Sequence, residues 1–141
     1  MGTTYLLGMR ALLTPADHPL GTWFPPVSWF ASRVYWREVG RRLPLHPELL
    51  SDASAYLTNA LETGEHACSR KYVKRWCELL SEGMPAVVRV LTSPGDGEEQ
   101  VLRSCAPLPF MSLVSESRRH LLYDAVGVEV RAMKNHQLRS A

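Results

Sequence analysis

The chain has 141 residues, a formal net charge of +2 and an apolar share of 45%. This length is close to that of one ordinary domain, and the composition excludes a disordered, collagen-like or highly charged chain. No apolar run approaches the roughly 20 residues that cross a bilayer, so the sequence predicts no membrane contact.

The N-terminal half of the sequence predicts one strand followed by three helices. The apolar segment 3–13 is interrupted by Gly8 and followed by Pro15, which favours a first strand with a bulge at the glycine. Three amphipathic segments follow, each with its own stop signal: 29–43 before Pro44, 52–63 before Gly64, and 70–82 before Gly83.

The C-terminal half predicts a hairpin, a fourth helix and a last strand. Residues 86–91 form a short β-branched run that is typical of a buried strand, and after a turn rich in glycine and proline the segment 100–105 is its expected partner. Residues 110–126 have helical periodicity up to Gly127, and residues 128–131 alternate as a short strand.

This order of elements predicts an α+β fold, in which a small, mostly antiparallel sheet is backed by three to four helices. Residues 1–133 are expected to form one domain, and residues 134–141 a flexible C-terminal tail. Exposed strand edges or helix faces would also allow a homodimer.

The sequence lacks the motifs that bind nucleotides or catalytic metals. It contains neither GxxxxGK(S/T) nor GxGxxG, and its histidines are dispersed singly. The nearest approach to a zinc ligand set is His66, Cys68 and Cys77, but Cys77 belongs to the apolar side of the third predicted helix and a fourth ligand is not evident. We therefore expect no cofactor and no metal.

The cysteines bear on both catalysis and compartment. Three cysteines cannot all pair and none forms a CxxC motif, so the sequence predicts a reducing cytoplasm. Cys68 precedes a predicted helix beside Arg70 and Lys71, which favours a thiolate, and His66, Glu65 or His120 could act as a base or orienting residue. No family signature surrounds Cys68, so a non-enzymatic protein is preferred and a cysteine-dependent enzyme is the second alternative.

Two predicted helices carry clusters of basic residues. Arg33, Arg37 and Arg41 recur every four residues and predict a ridge on the surface of the first helix. The other basic residues of the two clusters are Arg42 on the first helix and Arg70, Lys71, Lys74 and Arg75 on the third. Cations in a first turn oppose the helix dipole at about 0.3 to 1 kcal/mol each. Binding of a partner would explain why basic residues occur at the start of the third helix despite this cost.

Large aromatic residues accompany the basic ones. Trp29 lies on the first helix, and Trp23 and Phe24 lie in the proline-rich loop before it. Arginine and tryptophan are enriched at the centres of protein interfaces. The sequence therefore predicts that these residues bind another protein, such as part of a nucleic-acid-handling complex. Direct binding of DNA or RNA is the alternative, because the same cations can neutralise phosphates.

Residues 50–90 resemble a pattern found in small accessory proteins of high-GC bacteria and their phages. A short helix ending in glycine (ASAYLTNALETG) precedes a tryptophan-bearing helix ending in glycine (YVKRWCELLSEG), and a strand follows (AVVRVL). The resemblance carries no catalytic motif. It implies a small inhibitor or accessory protein of a phage or mobile element, such as an anti-CRISPR or immunity-like protein.

Overall fold

The computed structural model describes residues 4–5, 9–19, 24–64, 69–95 and 97–140. Helices make up most of it: α1 Val27–Arg42, α2 Glu48–Thr63, α3 Arg70–Glu82, α4 Met84–Thr92, α5 Glu98–Ser104 and α6 Glu116–Ser140. Three short 3-10 helices cover Pro15–Asp17, Leu43–Leu45 and Leu108–Leu113. The chain forms two compact units, one from residues 1–35 with 116–141 and the other from residues 36–115.

The fold is helical, so the prediction of an α+β protein is wrong. Within the described ranges, extended pairing is confined to two strands of two residues, β1 (Thr4–Tyr5) and β2 (Met9–Arg10), which pair antiparallel with Tyr5 opposite Met9. Both lie in the segment that was expected to form the first strand, whereas Gly8 lies outside the described residues. No sheet large enough to be backed by helices is present in the part of the chain that the structure describes.

The ends of the first three helices confirm the predictions from local stop signals, although α2 begins at Glu48, four residues before its predicted start. α2 ends where Gly64 takes a left-handed conformation with φ of 72°, and its N–H donates to the carbonyl of Ala60 at 2.8 Å. A residue with a Cβ would be strained there, which explains why glycine ends the helix. α3 begins after Ser69 and ends at Glu82, as its sequence predicts.

Residues 86–91 form part of α4, so the buried strand predicted there is wrong. Pro85 lies in the first turn of α4, where its fixed φ and its missing N–H are both tolerated. The residues of α4 that become buried are Ala86, Val87, Val90 and Leu91, a helical spacing. Gly40 of α1 makes this packing possible, because a Cβ there would lie 2.7 Å from Cγ2 of Thr92.

The predicted return strand is also helical, so the hairpin is wrong. Glu98 and Glu99 occupy the first turn of α5, where carboxylates favour the helix dipole. Arg103 of α5 is buried, and its guanidinium donates to the carbonyls of Ser93 and Gly95, both at 2.8 Å. One arginine thus binds two carbonyl groups of the turn that was expected to join the strands of the hairpin.

α6 runs through Gly127 to Ser140, so the predicted stop at this glycine and the last strand at 128–131 are wrong. Leu122, Val126 and Val130 recur every four residues and are all buried. Burial of three such side chains outweighs the roughly 1 kcal/mol by which glycine disfavours a helix interior. The helix also covers residues 134–140, where the sequence predicts a flexible tail.

Glu129 of α6 holds the N-terminal segment of the same unit. Its two carboxylate oxygens accept the backbone N–H groups of Leu12 and Leu13, at 2.8 and 3.0 Å. These hydrogen bonds join residues that are more than 110 positions apart in the sequence. The charged acceptor strengthens both bonds, so the segment before Pro15 is held without a strand ladder.

Candidate macromolecule-binding surfaces

The arginine ridge predicted on α1 does not form, because Arg33 is an internal residue. Its side chain is 5% exposed, and its Nε lies 3.3 Å from Oδ1 of Asp17, which is fully buried. The guanidinium also lies 4.3 Å from the ring centroid of Trp29. Arg33 therefore pairs with a buried carboxylate and an aromatic ring, and it is not available to a partner.

The other arginines of α1 differ in their surroundings. Arg37 is half-buried and engaged within the chain, whereas Arg41 is exposed. Arg42 donates to Oε2 of Glu38 and to the carbonyl of Leu113, both at 2.8 Å. Of the arginines predicted to bind a partner from this helix, Arg41 is exposed, whereas the side chain of Arg42 is 41% exposed but held by Glu38 and Leu113.

The aromatic residues predicted as anchors pack within the chain. Trp29 is half-buried with its ring edge-on to Phe30, at 4.9 Å between centroids. Phe24 is half-buried, lies 5.8 Å from the ring of Phe30, and is covered by the ammonium group of Lys134 at 5.7 Å. Trp23 lies outside the described residues. Trp29 and Phe24 support the core around Phe30 rather than forming an exposed anchor.

Two cations of α6 that the sequence did not single out also contact rings. Arg119 is exposed, but its guanidinium lies 5.2 Å from the ring of Tyr35 and 5.5 Å from that of Tyr123. Burial raises the pKa of the Tyr35 hydroxyl, and the positive charge of Arg119 opposes that rise. Like Lys134, Arg119 covers aromatic surface, which the spacing of residues in the sequence could not reveal.

The basic residues at the start of α3 are placed as a docking surface would require. Arg70, Lys71 and Lys74 are exposed and lie on the side of the helix opposite its buried residues, and we call this trio the basic face of α3. Among the described residues, none of the three forms an ion pair. Arg70 makes a long hydrogen bond of 3.4 Å to the carbonyl of Leu61, and Lys71 lies 5.4 Å from the ring of Tyr72.

Arg75 belongs to a separate, acidic environment. Its guanidinium lies 3.0 Å from Glu78, 3.7 Å from Glu82 and 3.7 Å from Glu98. The hydrogen bond to Glu78 raises the pKa of Arg75 above its ordinary value, and the charges of the three carboxylates act in the same direction. Arg75 is thus neutralised locally, and the predicted cluster of four cations is reduced to three.

The basic face of α3 has a rigid support. Trp76, Val73 and Leu79 are buried on the opposite side of the helix. The indole N–H of Trp76 donates to the carbonyl of Leu102 at 2.8 Å, and its ring meets Phe110 edge-on at 6.0 Å. Because the helix is held in this way, the backbone positions from which the three cations project are fixed.

The structure places few of the residues considered for catalysis or metal binding within the described ranges. There, no group of three His, Cys, Asp or Glu side chains is arranged to hold a metal ion. His66 and Cys68, the residues considered for zinc binding and for nucleophilic catalysis, lie outside the described residues. Cys77 is a half-buried free thiol whose pKa is raised by burial, and Cys105 is disulfide-bonded.

Comparisons of the chain with models of protein families, with curated proteins and with solved structures found no match. Within the described ranges, no helix is both long and apolar enough to cross a bilayer. What the protein does is therefore inferred from the chemistry of its surface.

Proposed function

We propose that this is a non-enzymatic protein that binds an acidic surface of another protein through the basic face of α3. The observation that supports this proposal is the exposed trio Arg70, Lys71 and Lys74, which shares one side of a helix fixed by Trp76. The ridge on α1 is not part of the proposal, because Arg33 is buried against Asp17.

The position of the trio in the helix favours an anionic partner. The N-terminus of a helix carries a partial positive charge, so cations in the first turns raise the free energy of the isolated chain. A carboxylate on a partner would interact favourably both with the side chains and with the helix end. Binding can therefore recover the electrostatic cost that the free protein bears, which explains why a sequence would keep three cations there.

The charge distribution along α3 favours a protein over a nucleic acid. Its outward side is basic at Arg70, Lys71 and Lys74 but carries exposed Glu78 and Glu82 within the next two turns. A phosphate backbone following this helix would meet carboxylates after a few contacts, which costs affinity. A protein partner can instead present acidic and basic groups in matching positions. Direct nucleic-acid binding remains the alternative.

The biological context of this function is proposed from the resemblance of residues 50–90 to small accessory proteins of high-GC bacteria and their phages. We propose a small inhibitor or accessory protein of a phage or mobile element, of the anti-CRISPR or immunity-like kind. In that setting the acidic surface would belong to a protein component of a nucleic-acid-handling complex. The basic face of α3 would then bind that protein component and not the nucleic acid.

The double variant Lys71→Glu, Lys74→Glu is expected to weaken partner binding by about a hundredfold, because it places like charges across the interface. Its folding should change little: a carboxylate at position 71 lies in the first turn, where it is favourable, and one at position 74 lies four residues before Glu78, which costs only about 0.2 to 0.5 kcal/mol. The measurement is affinity capture from the native host followed by titration of the captured protein against wild-type chain and variant, with thermal unfolding recorded for both.

A matched control is the variant Arg41→Glu, Arg89→Glu, which makes the same change in net charge at two exposed arginines outside the basic face of α3. It should bind the partner with nearly unchanged affinity. Equal losses in both variants would show that net charge alone matters and would contradict the proposed surface. Gel shifts with DNA and RNA at rising salt test the alternative, for which affinity should fall steeply with salt.

The oxidation state of the cysteines tests which cellular compartment the protein occupies. The sequence predicts the cytoplasm, but the disulfide at Cys105 argues against it, because disulfides are rare in cytosolic proteins. In denaturant, which exposes the buried Cys105, we expect iodoacetamide to modify Cys77 without reduction and Cys105 only after reduction, as read by peptide mass. Since burial raises the pKa of Cys77, its alkylation in the folded protein should keep accelerating above the pH at which an unhindered thiol is fully reactive.

Acid quench of intact host cells, followed by alkylation in denaturant at neutral pH, applies the same measurement to the compartment. Cys105 recovered as a free thiol from cells would support the cytoplasm. Cys105 recovered as a disulfide would contradict it and would indicate an oxidising compartment.

A further inference from the structure

The side of α6 that faces away from its own core carries a stripe of exposed apolar residues. Leu121 is 58% exposed and Val128, seven positions later, is 38% exposed. Residues seven apart lie on the same side of a helix, and Leu122 and Val126 are buried on the other side. We call the side that contains Leu121, Asp124, Val128 and Arg131 the outer stripe of α6.

The charges of the outer stripe are opposite on the two sides of Val128. Asp124 lies four residues before Val128, and Arg131 lies three residues after it. Both side chains are exposed, and neither forms an ion pair with a described residue. The stripe therefore has an acidic half, an apolar centre and a basic half along a single helix.

We infer that the outer stripe of α6 binds a second copy of this chain, with the two helices antiparallel and a two-fold axis at Val128. In this arrangement Asp124 of each copy lies beside Arg131 of the other, so two equivalent ion pairs flank the apolar centre. A parallel pairing would place Asp124 against Asp124 and Arg131 against Arg131. The order of charges along the helix therefore favours an antiparallel over a parallel pairing, and it favours a second copy of this chain as the partner.

The C-terminal part of α6 gives a second reason for a partner helix. From Arg131 to Leu138 every side chain is exposed except that of Met133, which is half-buried, and Leu138 is 69% exposed. A helical segment with so little tertiary packing is only marginally stable by itself in water. An antiparallel second copy would lie along this segment, with the apolar side chains of both helices between them.

The first test is the mass of the protein in solution. Multi-angle light scattering over rising concentration should show a shift from 15.9 kDa to about twice that value. Asp124→Arg and Arg131→Asp should each weaken the dimer about tenfold, because a single substitution changes both symmetry-related ion pairs. Glu62→Arg, at an exposed carboxylate of α2, is the matched control and should leave association unchanged.

The decisive test is to mix the two variants. In a homodimer of either variant, residues 124 and 131 of the two copies carry like charges and repel each other. In an antiparallel heterodimer of the two variants, each substituted residue lies beside a residue of opposite charge. An equimolar mixture should therefore associate about as strongly as the wild-type chain, with both variants retaining the helical content of the wild type by circular dichroism. A wild-type chain that stays monomeric, or a mixture that associates no better than each variant alone, would overturn the inference.

Discussion

Replacing Arg33 by alanine is expected to lower the free energy of unfolding by about 3 to 5 kcal/mol, because it removes the guanidinium that pairs with the buried carboxylate of Asp17. Asp17 is fully buried and Arg33 is 5% exposed, so water cannot replace the missing guanidinium without opening the structure. The other oxygen of Asp17 accepts the N–H of Thr14 at 2.8 Å, which does not neutralise the charge. Urea unfolding at neutral pH measures the loss.

Two further variants separate the ion pair from a general effect of losing an arginine. Arg41→Ala removes an exposed arginine from the same helix and should change stability by no more than about 0.5 kcal/mol. The double variant Asp17→Asn, Arg33→Met should be more stable than Arg33→Ala, since no uncompensated charge remains buried. An Arg33→Ala protein as stable as Arg41→Ala would show that the pair is solvated in solution.

Trp76→Ala is expected to cost about 3 to 5 kcal/mol, because the side chain is fully buried and nothing nearby can fill the space of an indole. Its loss also removes the donor to the carbonyl of Leu102 and the edge-on contact with Phe110. Since Trp76 fixes α3, the same substitution should reduce partner binding by the basic face of α3. Thermal unfolding and partner titration measure the two effects.

Trp76→Phe is the control that keeps most of the buried volume. It removes the N–H group and leaves the carbonyl of Leu102 without its donor, so we expect a smaller loss of about 1 to 3 kcal/mol. Partner affinity should stay close to that of the wild type in this variant. If Trp76→Phe bound as weakly as Trp76→Ala, the indole itself, and not the position of α3, would be the cause.

The sequence predicts those helices whose limits are set by nearby residues. α3 extends from Arg70 to Glu82 as expected, because Gly83 ends it within the same local segment. For residues 86–91 the local pattern is ambiguous, since a short apolar run fits a buried strand and a buried helix equally well. Packing decided the outcome: α4 places Val87 and Leu91 on one side, where both are fully buried.

The candidate binding residues also divide into those whose position follows from local helical spacing and those whose surroundings depend on tertiary contacts. Helical spacing predicts that Arg70, Lys71, Lys74 and Arg75 lie on the outer side of α3, because that depends only on the helix period, and the first three are exposed. The same rule places Arg33 with Arg37 and Arg41, but it cannot show that Asp17, sixteen residues earlier, lies buried beside Arg33. Pairing with a distant carboxylate depends on the tertiary structure, which no periodicity in the sequence encodes.

The hydrogen bonds from Leu12 and Leu13 to Glu129 affect the order in which the chain can fold. The unit of residues 36–115 is continuous in sequence, so all of its parts are available soon after they are synthesised. The other unit needs residues from both ends of the chain and cannot be completed until α6 has left the ribosome. Until then Glu129 cannot accept these two N–H groups, so the N-terminal segment lacks the long-range contacts that hold it in the folded unit.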